Sequence, residues 1–98
     1  MAQRSVRFHP HAEDEANRAY EWYSERNPAS ARAFLADLDH AVSRVQESPE
    51  RWPSYHGTAR RYIFQRFPFS LIYRITGDAI DVIAIAHHSR RPGYWSRR

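Results

Sequence analysis

Apolar residues follow two different rhythms along this chain. Before residue 48 they recur every three or four positions, and after residue 58 they alternate or run together. RSVRFH (4–9) alternates and closes on His9-Pro10, which predicts a short strand. Pro10 suits the first position of a helix, where its missing N–H removes no bond. Glu13, Asp14 and Glu15 then fall near the opening turn, as solvated partners of the positive helix end. Ala12, Ala16, Ala19, Tyr20 and Tyr23 share one helical face and predict a first helix over 10–25. Asn27 as N-cap and Pro28 as first residue start a second helix. Its stripe is Ala31, Phe34, Leu35, Leu38, Ala41, Val42 and Val45, and it spans 28–47 before Ser48-Pro49 ends it. So short a connection makes the pair an antiparallel hairpin.

PERWPSYHGT (49–58) reads as a turn-rich connector. ARRYIFQRF (59–67) is a predicted strand, Pro68 a break, and FSLIYRI (69–75) a second strand. Thr76-Gly77-Asp78 supplies a tight turn into AIDVIAIAHH (79–88). That last strand is apolar from Val82 to Ala86, which places it centrally in the sheet. The order β-α-α-β-β-β predicts an α+β fold, with the helical hairpin packed on one face of a mainly antiparallel sheet. The other sheet face is left to Arg74 and whichever of Arg60 and Arg61 points outward. Ninety-eight residues make a single domain, 1–98, ending in a basic, aromatic tail over 88–98.

Charge changes this picture. Residues 1–50 hold six Arg against nine acids, net −3, whereas 51–98 hold nine Arg against Asp78 and Asp81, net +7. Every one of the fifteen basic residues is arginine, a planar fork suited to phosphate or carboxylate. The stretch HHSRRPGYWSRR (87–98) carries four arginines and no acid. Arg60, Arg61, Arg66 and Arg74 lie on strands expected to be neighbours, with Arg90 and Arg91 following the last one. Together with Tyr62, Tyr73 and Tyr94 they have the electrostatics of an anion-binding surface. Arg66 alone reads as a solvated strand residue.

Other chemistries find little support. There is no cysteine, which excludes disulfides and thiolate metal sites and fits a reducing cytoplasm. No stretch is long and apolar enough for a membrane span, and MAQRSVRF lacks the apolar region of a signal peptide. The six histidines form no metal-ligand pattern; His87 and His88 are adjacent and point to opposite faces of a continuing strand. Three glycines build no phosphate loop, and no nucleophile elbow is present. Neither a metal nor a cofactor is expected.

RRYIFQRFPFSLIYRI (60–75) followed by DVIAIAHHSRRPGYW (81–95) resembles toxin subunits of the RelE/ParE superfamily of bacterial type II toxin–antitoxin modules, which include plasmid stabilisation proteins. The likeness extends along the whole chain. It implies a growth-inhibiting toxin that is cytoplasmic and neutralised by a cognate antitoxin, whose acidic or amphipathic C-terminal segment wraps the toxin. The superfamily divides by target. RelE-like members cut translated mRNA on the ribosome without metal, and ParE-like members poison DNA gyrase without cleavage residues. Carried over residue by residue, the ribonuclease site implies Arg61, Arg90 and Tyr94, with His87 or His88 as proton carrier. Arg60, Arg74, His88, Arg91 and Trp95 are the residues implied for contact with nucleic acid or partner. The pattern is incomplete: Ser70 stands where a third-strand arginine belongs, and the apolar Ile63 at a second basic position. A catalytically inactive binding module is the remaining alternative.

Overall fold

The computed structural model describes residues 4–98. Seven elements follow in the order β1 (Ser5–Phe8), α1 (Pro10–Arg26), α2 (Pro28–Glu47), β2 (Ser54–His56), β3 (Ala59–Ile63), β4 (Phe69–Thr76) and β5 (Ala79–His87). The helix boundaries lie where the proline and cap signals put them. Asn27 Oδ1 accepts from the Ala29 N–H at 2.9 Å, and its own N–H donates to Tyr23 O, so one residue closes α1 and opens α2. His9 performs the same office for α1, its Nδ1 accepting from the His11 N–H at 3.0 Å.

The sheet has the order β1-β5-β4-β3-β2. β1 runs parallel to β5 and every other pair is antiparallel. The architecture is the expected α+β hairpin-on-sheet, and β5 is an inner strand. Two boundaries differ from the sequence reading. The connector contains the three-residue strand β2, paired with β3. β3 ends at Ile63 instead of residue 67 because the buried carboxylate of Asp37 on α2 pulls the chain into a turn, accepting from the N–H groups of Arg66 (2.9 Å) and Phe67 (3.0 Å).

Both sheet faces are covered. On the helical side, Phe34, Leu38, Ala41 and Val45 pack on Tyr62, Leu71, Tyr73 and Val82, and Phe34 sits among the rings of Tyr23, Phe64, Phe67 and Phe69. Leu35, counted in the predicted stripe, points outward and is 40% exposed. The far face carries a second cluster of Ala59, Ile72, Ile83, Ala84, Ala86 and Trp95. An extra residue in β5 makes this possible: opposite Ile72–Tyr73 the register jumps from Ala84 to Val82, so Ile83 leaves the helical side and joins the far one.

The far face was expected to carry Arg74 and an outward-pointing Arg60 or Arg61, and the structure adds a cover over it. Residues 88–98 fold back over it. Alanines at 59, 84 and 86 leave a shallow floor, and the Trp95 indole fills it to 1% exposure. The path of the tail depends on Gly93, at φ +83°, where a Cβ would lie 3.0 Å from His56 Nε2.

Candidate functional site

β1 covers only the first half of β5, ending with the Phe8–Val82 pair and the bond from the His9 N–H to Val82 O. Beyond it the edge of β5 has no neighbouring strand, and side chains take over. The Ile85 N–H donates to Glu15 Oε1 at 3.0 Å, and Ile83 O accepts from Arg98 Nη1 at 3.1 Å. Glu15 and Arg98 also bind each other through both oxygens, at 2.9 and 3.1 Å, each only 15% exposed. The Tyr94 hydroxyl donates to Glu15 Oε2 at 2.6 Å. A carboxylate read from sequence as a solvated dipole partner is thus the knot joining α1, β5 and the tail.

The Tyr94 hydroxyl is held protonated far above its ordinary range, first by burial and then by its bond to the Glu15 carboxylate. Burial likewise pushes Tyr73, which donates to Pro49 O, to about 12. Raised phenol values stabilise the fold while the unfolded chain also keeps its protons, and that contribution is lost as pH climbs above about 10. The melting temperature is therefore expected to fall steeply between about pH 10 and 11.5, and less steeply in Tyr94→Phe. Thermal melts followed by circular dichroism across that range check this.

Where the tail leaves β5 it forms one wall of a cleft of about 240 Å3 on the far face. The cleft gathers Arg61 from β3, Ser70 from β4, and His88, Arg90, Arg91 and Tyr94 from the tail. Arg61 lies 4.0 Å over the Tyr55 ring and Arg90 3.9 Å over the Tyr94 ring. His88 Nε2 shares a 3.0 Å hydrogen bond with Ser70 Oγ, and Ser70 is buried. Ile63, 53% exposed, stands on the rim.

Not every residue implied by the resemblance belongs to this cleft. Arg60 faces the helical side, donating to Glu50 O at 3.0 Å and Trp52 O at 2.6 Å, so it ties down the connector. Arg74 donates to the tail carbonyls of Arg98 (3.0 Å) and Ser96 (3.5 Å). Trp95, 1% exposed, belongs to the core and lines the cleft from beneath. His87 turns to the helical side, its ring edge-on to Phe69 and its Nδ1 bonded to Ser89 Oγ at 2.7 Å. There it lines a second recess, of about 430 Å3, between α1 and the end of β5, with Glu15, Arg18, Trp22 and Arg90. The His87 ring lies on the helical side, yet His87 also lines the far-face cleft beside His88, so the expected division between opposite faces is incomplete. Among the described residues no helix is long and apolar enough to cross a membrane, and no three potential metal ligands cluster.

Sequence comparison bears on this arrangement directly. The family described as the ParE toxin of type II toxin-antitoxin system, parDE, matches residues 6–92. The chain belongs to the ParE toxin family. It is similar to Toxin ParE2 of Mycobacterium tuberculosis, in strains CDC 1551 / Oshkosh and ATCC 25618 / H37Rv, at 26% identity over 90 residues, 91% of this chain and 86% of that protein. Its fold is that of a chain in the solved chromosomal ParDE TA system from P. aeruginosa, with a TM-score of 0.76 at 22% identity, covering 87% of this chain and 96% of the other. The matched span of this ParE-family chain takes in β5 and the cleft arginines, and stops at Pro92, short of the Tyr94–Trp95–Arg98 anchor.

Proposed function

We propose that this ParE-family chain is the toxin of a cytoplasmic type II module that arrests growth by binding a replication enzyme, DNA gyrase, and that a cognate antitoxin neutralises it. The observation that carries the binding mode is the state of the proton-transfer candidates. Metal-free RNA cleavage needs a base at the 2′-hydroxyl, cations at the phosphate and an acid at the leaving oxygen. Here the Tyr94 hydroxyl is committed to Glu15, His87 is turned away onto Ser89, and His88 is bonded to the buried Ser70. Ile63 and Ser70 occupy positions where ribonuclease relatives place cations. The antitoxin reading is supported by the charge split of −3 against +7, which suits an acidic or amphipathic segment that folds on contact.

Controlled expression tests the target. Gyrase binding predicts filamentous cells and DNA-damage signalling with transcripts intact, and inhibition of supercoiling by the purified protein. Tyr94→Phe is expected to change toxicity by no more than a few-fold, whereas loss of a proton-transferring group costs about 100-fold or more. Transcripts cut within ribosomes, together with a Tyr94→Phe variant that has lost toxicity, would instead establish an endoribonuclease built on Arg61, Arg90 and Tyr94.

A further inference from the structure

The tail HHSRRPGYWSRR contains the triplet Ser-Arg-Arg twice, at 89–91 and at 96–98. The two are alike in sequence and unlike in the fold. His88 to Pro92 are exposed without interruption where the chain turns off β5. The Ser89 N–H donates to His87 Nδ1 at 3.0 Å, which makes that nitrogen an acceptor, so the Ser89 hydroxyl 2.7 Å away donates to it as well. Two bonds to one ring, itself edge-on to Phe69, hold this hydroxyl at a fixed place on the surface. Ser96 differs on each count. It follows the buried Trp95, its N–H donates to Gly93 O at 2.9 Å, and of its two arginines Arg98 is committed to Glu15.

The surroundings of Ser89 suit an anion. Arg90 and Arg91 follow it directly, and Ser89, Arg90 and Arg18 line the recess between α1 and the end of β5. Arg18 is met by Asp14, whereas Arg90 lies over the Tyr94 ring at 3.9 Å, a contact that leaves its N–H edge open to a phosphate. Glu15 is the one acid lining either recess, and Arg98, the Tyr94 hydroxyl and the Ile85 N–H already engage it. An added negative group on Ser89 therefore meets guanidinium groups and no uncommitted carboxylate.

We propose that Ser89 is a phosphorylation site and that Arg90 and Arg91 hold the phosphate. The donor is a nucleoside triphosphate presented by a protein kinase. Ser89 Oγ attacks the γ-phosphorus, the new Oγ–P bond forms, and the bond from that phosphorus to the β–γ bridging oxygen breaks. The nucleoside diphosphate leaves with the electron pair, and the hydroxyl proton passes to a base and on to solvent. The product carries a charge of about −1.5 to −2 beside two arginines. Because Arg90 lines both recesses, one modification lowers the positive potential of both. The inference goes beyond the gyrase reading and is tested with neither gyrase nor antitoxin present.

Ser96 is the internal control, and the experiment has two arms. In the first, the purified full chain is incubated with ATP and a basophilic serine kinase, and phosphate is located by mass spectrometry. A synthetic peptide covering residues 85–98 corrects for the kinase's own preference. Reaching Ser96 requires the tail to leave the sheet, so the folded chain should favour Ser89 over Ser96 by about tenfold more than the peptide does. In the second arm, phosphoserine is incorporated during synthesis at position 89 or at position 96, and each phosphate is titrated by phosphorus NMR. The second ionisation, ordinarily near about pH 6, should lie about half a unit or more lower at 89 than at 96. Arg90→Gln should remove most of that difference and Arg90→Lys should keep it, while Arg32→Gln on the exposed face of α2 should leave it unchanged. The proposal is overturned if the folded chain and the peptide divide phosphate alike between the two serines. It is equally overturned if the phosphates at 89 and 96 ionise together, or if Arg32→Gln shifts the value at 89 as much as Arg90→Gln does. Circular dichroism of each variant, and the retained shift in Arg90→Lys, separate loss of contact from loss of fold.

Discussion

Trp95→Ala is expected to lower unfolding free energy by about 3–5 kcal/mol, within the usual range for emptying a large aromatic site. The indole is 1% exposed and is the largest side chain of the far-face cluster. Its neighbours are mostly alanines and strand residues, which have no freedom to collapse into the space. A domain of this size has about 5–15 kcal/mol in total, so the variant should sit close to its unfolding threshold at 37 °C. The same change frees the tail and removes one wall of the cleft, so toxicity should fall with stability. Urea denaturation gives the measurement. Trp95→Phe provides the graded comparison, recovering part of the loss because a smaller ring still occupies the floor. A change below about 1 kcal/mol in Trp95→Ala would mean that the tail does not dock on the sheet.

The second large effect concerns Glu15. Glu15→Ala removes in one step the partner of Arg98, the acceptor of the Tyr94 hydroxyl and the cap on the Ile85 N–H. Deleting one member of a largely buried pair leaves the other charge uncompensated, and a loss of about 3 kcal/mol is expected. For a domain this short that lowers the melting temperature by about 12 °C or more. Arg98→Ala should destabilise for the mirror reason. Because the two side chains form one unit, the double variant should lose clearly less than the sum of the single losses. Additive losses would show that Glu15 and Arg98 act separately. A solvated helix-dipole partner at position 15 would instead show a cost of well under 1 kcal/mol.

These two residues also mark where the sequence stopped being readable. Local signals carried the helical hairpin: Pro10, Asn27-Pro28 and Ser48-Pro49 act through their own backbone chemistry, and the structure follows them to within a residue or so. Alternation and turn residues likewise located β3, β4 and β5. Arg61, Arg90, Arg91 and Tyr94 were drawn from chemistry and resemblance, and the fold brings them to one cleft. What local patterns do not encode is a tie between residues 83 positions apart, such as Glu15 with Arg98. In sequence, Glu15 is one of three consecutive acids at a helix start, and nothing there distinguishes it from Glu13 or Asp14. Strand β2 was hidden for a related reason, since three residues between prolines become a strand only through their pairing with β3. One clue was available. A sheet whose last strand is apolar on consecutive residues needs cover on both faces, and two helices cover one. Large aromatic residues left for the other side lay in the connector and in the tail, and Tyr55 and Trp95 are the ones that meet there.

The parallel pairing of β1 with β5 has a kinetic consequence. Arg7 and Asp81 meet across 74 residues, whereas the helical hairpin and the β3–β5 meander are built from near neighbours. Closing so long a loop is entropically slow compared with forming a hairpin, and it comes late on any route to the native state. During synthesis the first strand must wait unpaired until almost the entire polypeptide has left the ribosome, and the anchoring indole emerges later still. The far-face cleft, walled by the tail, is consequently among the last parts of the molecule to exist.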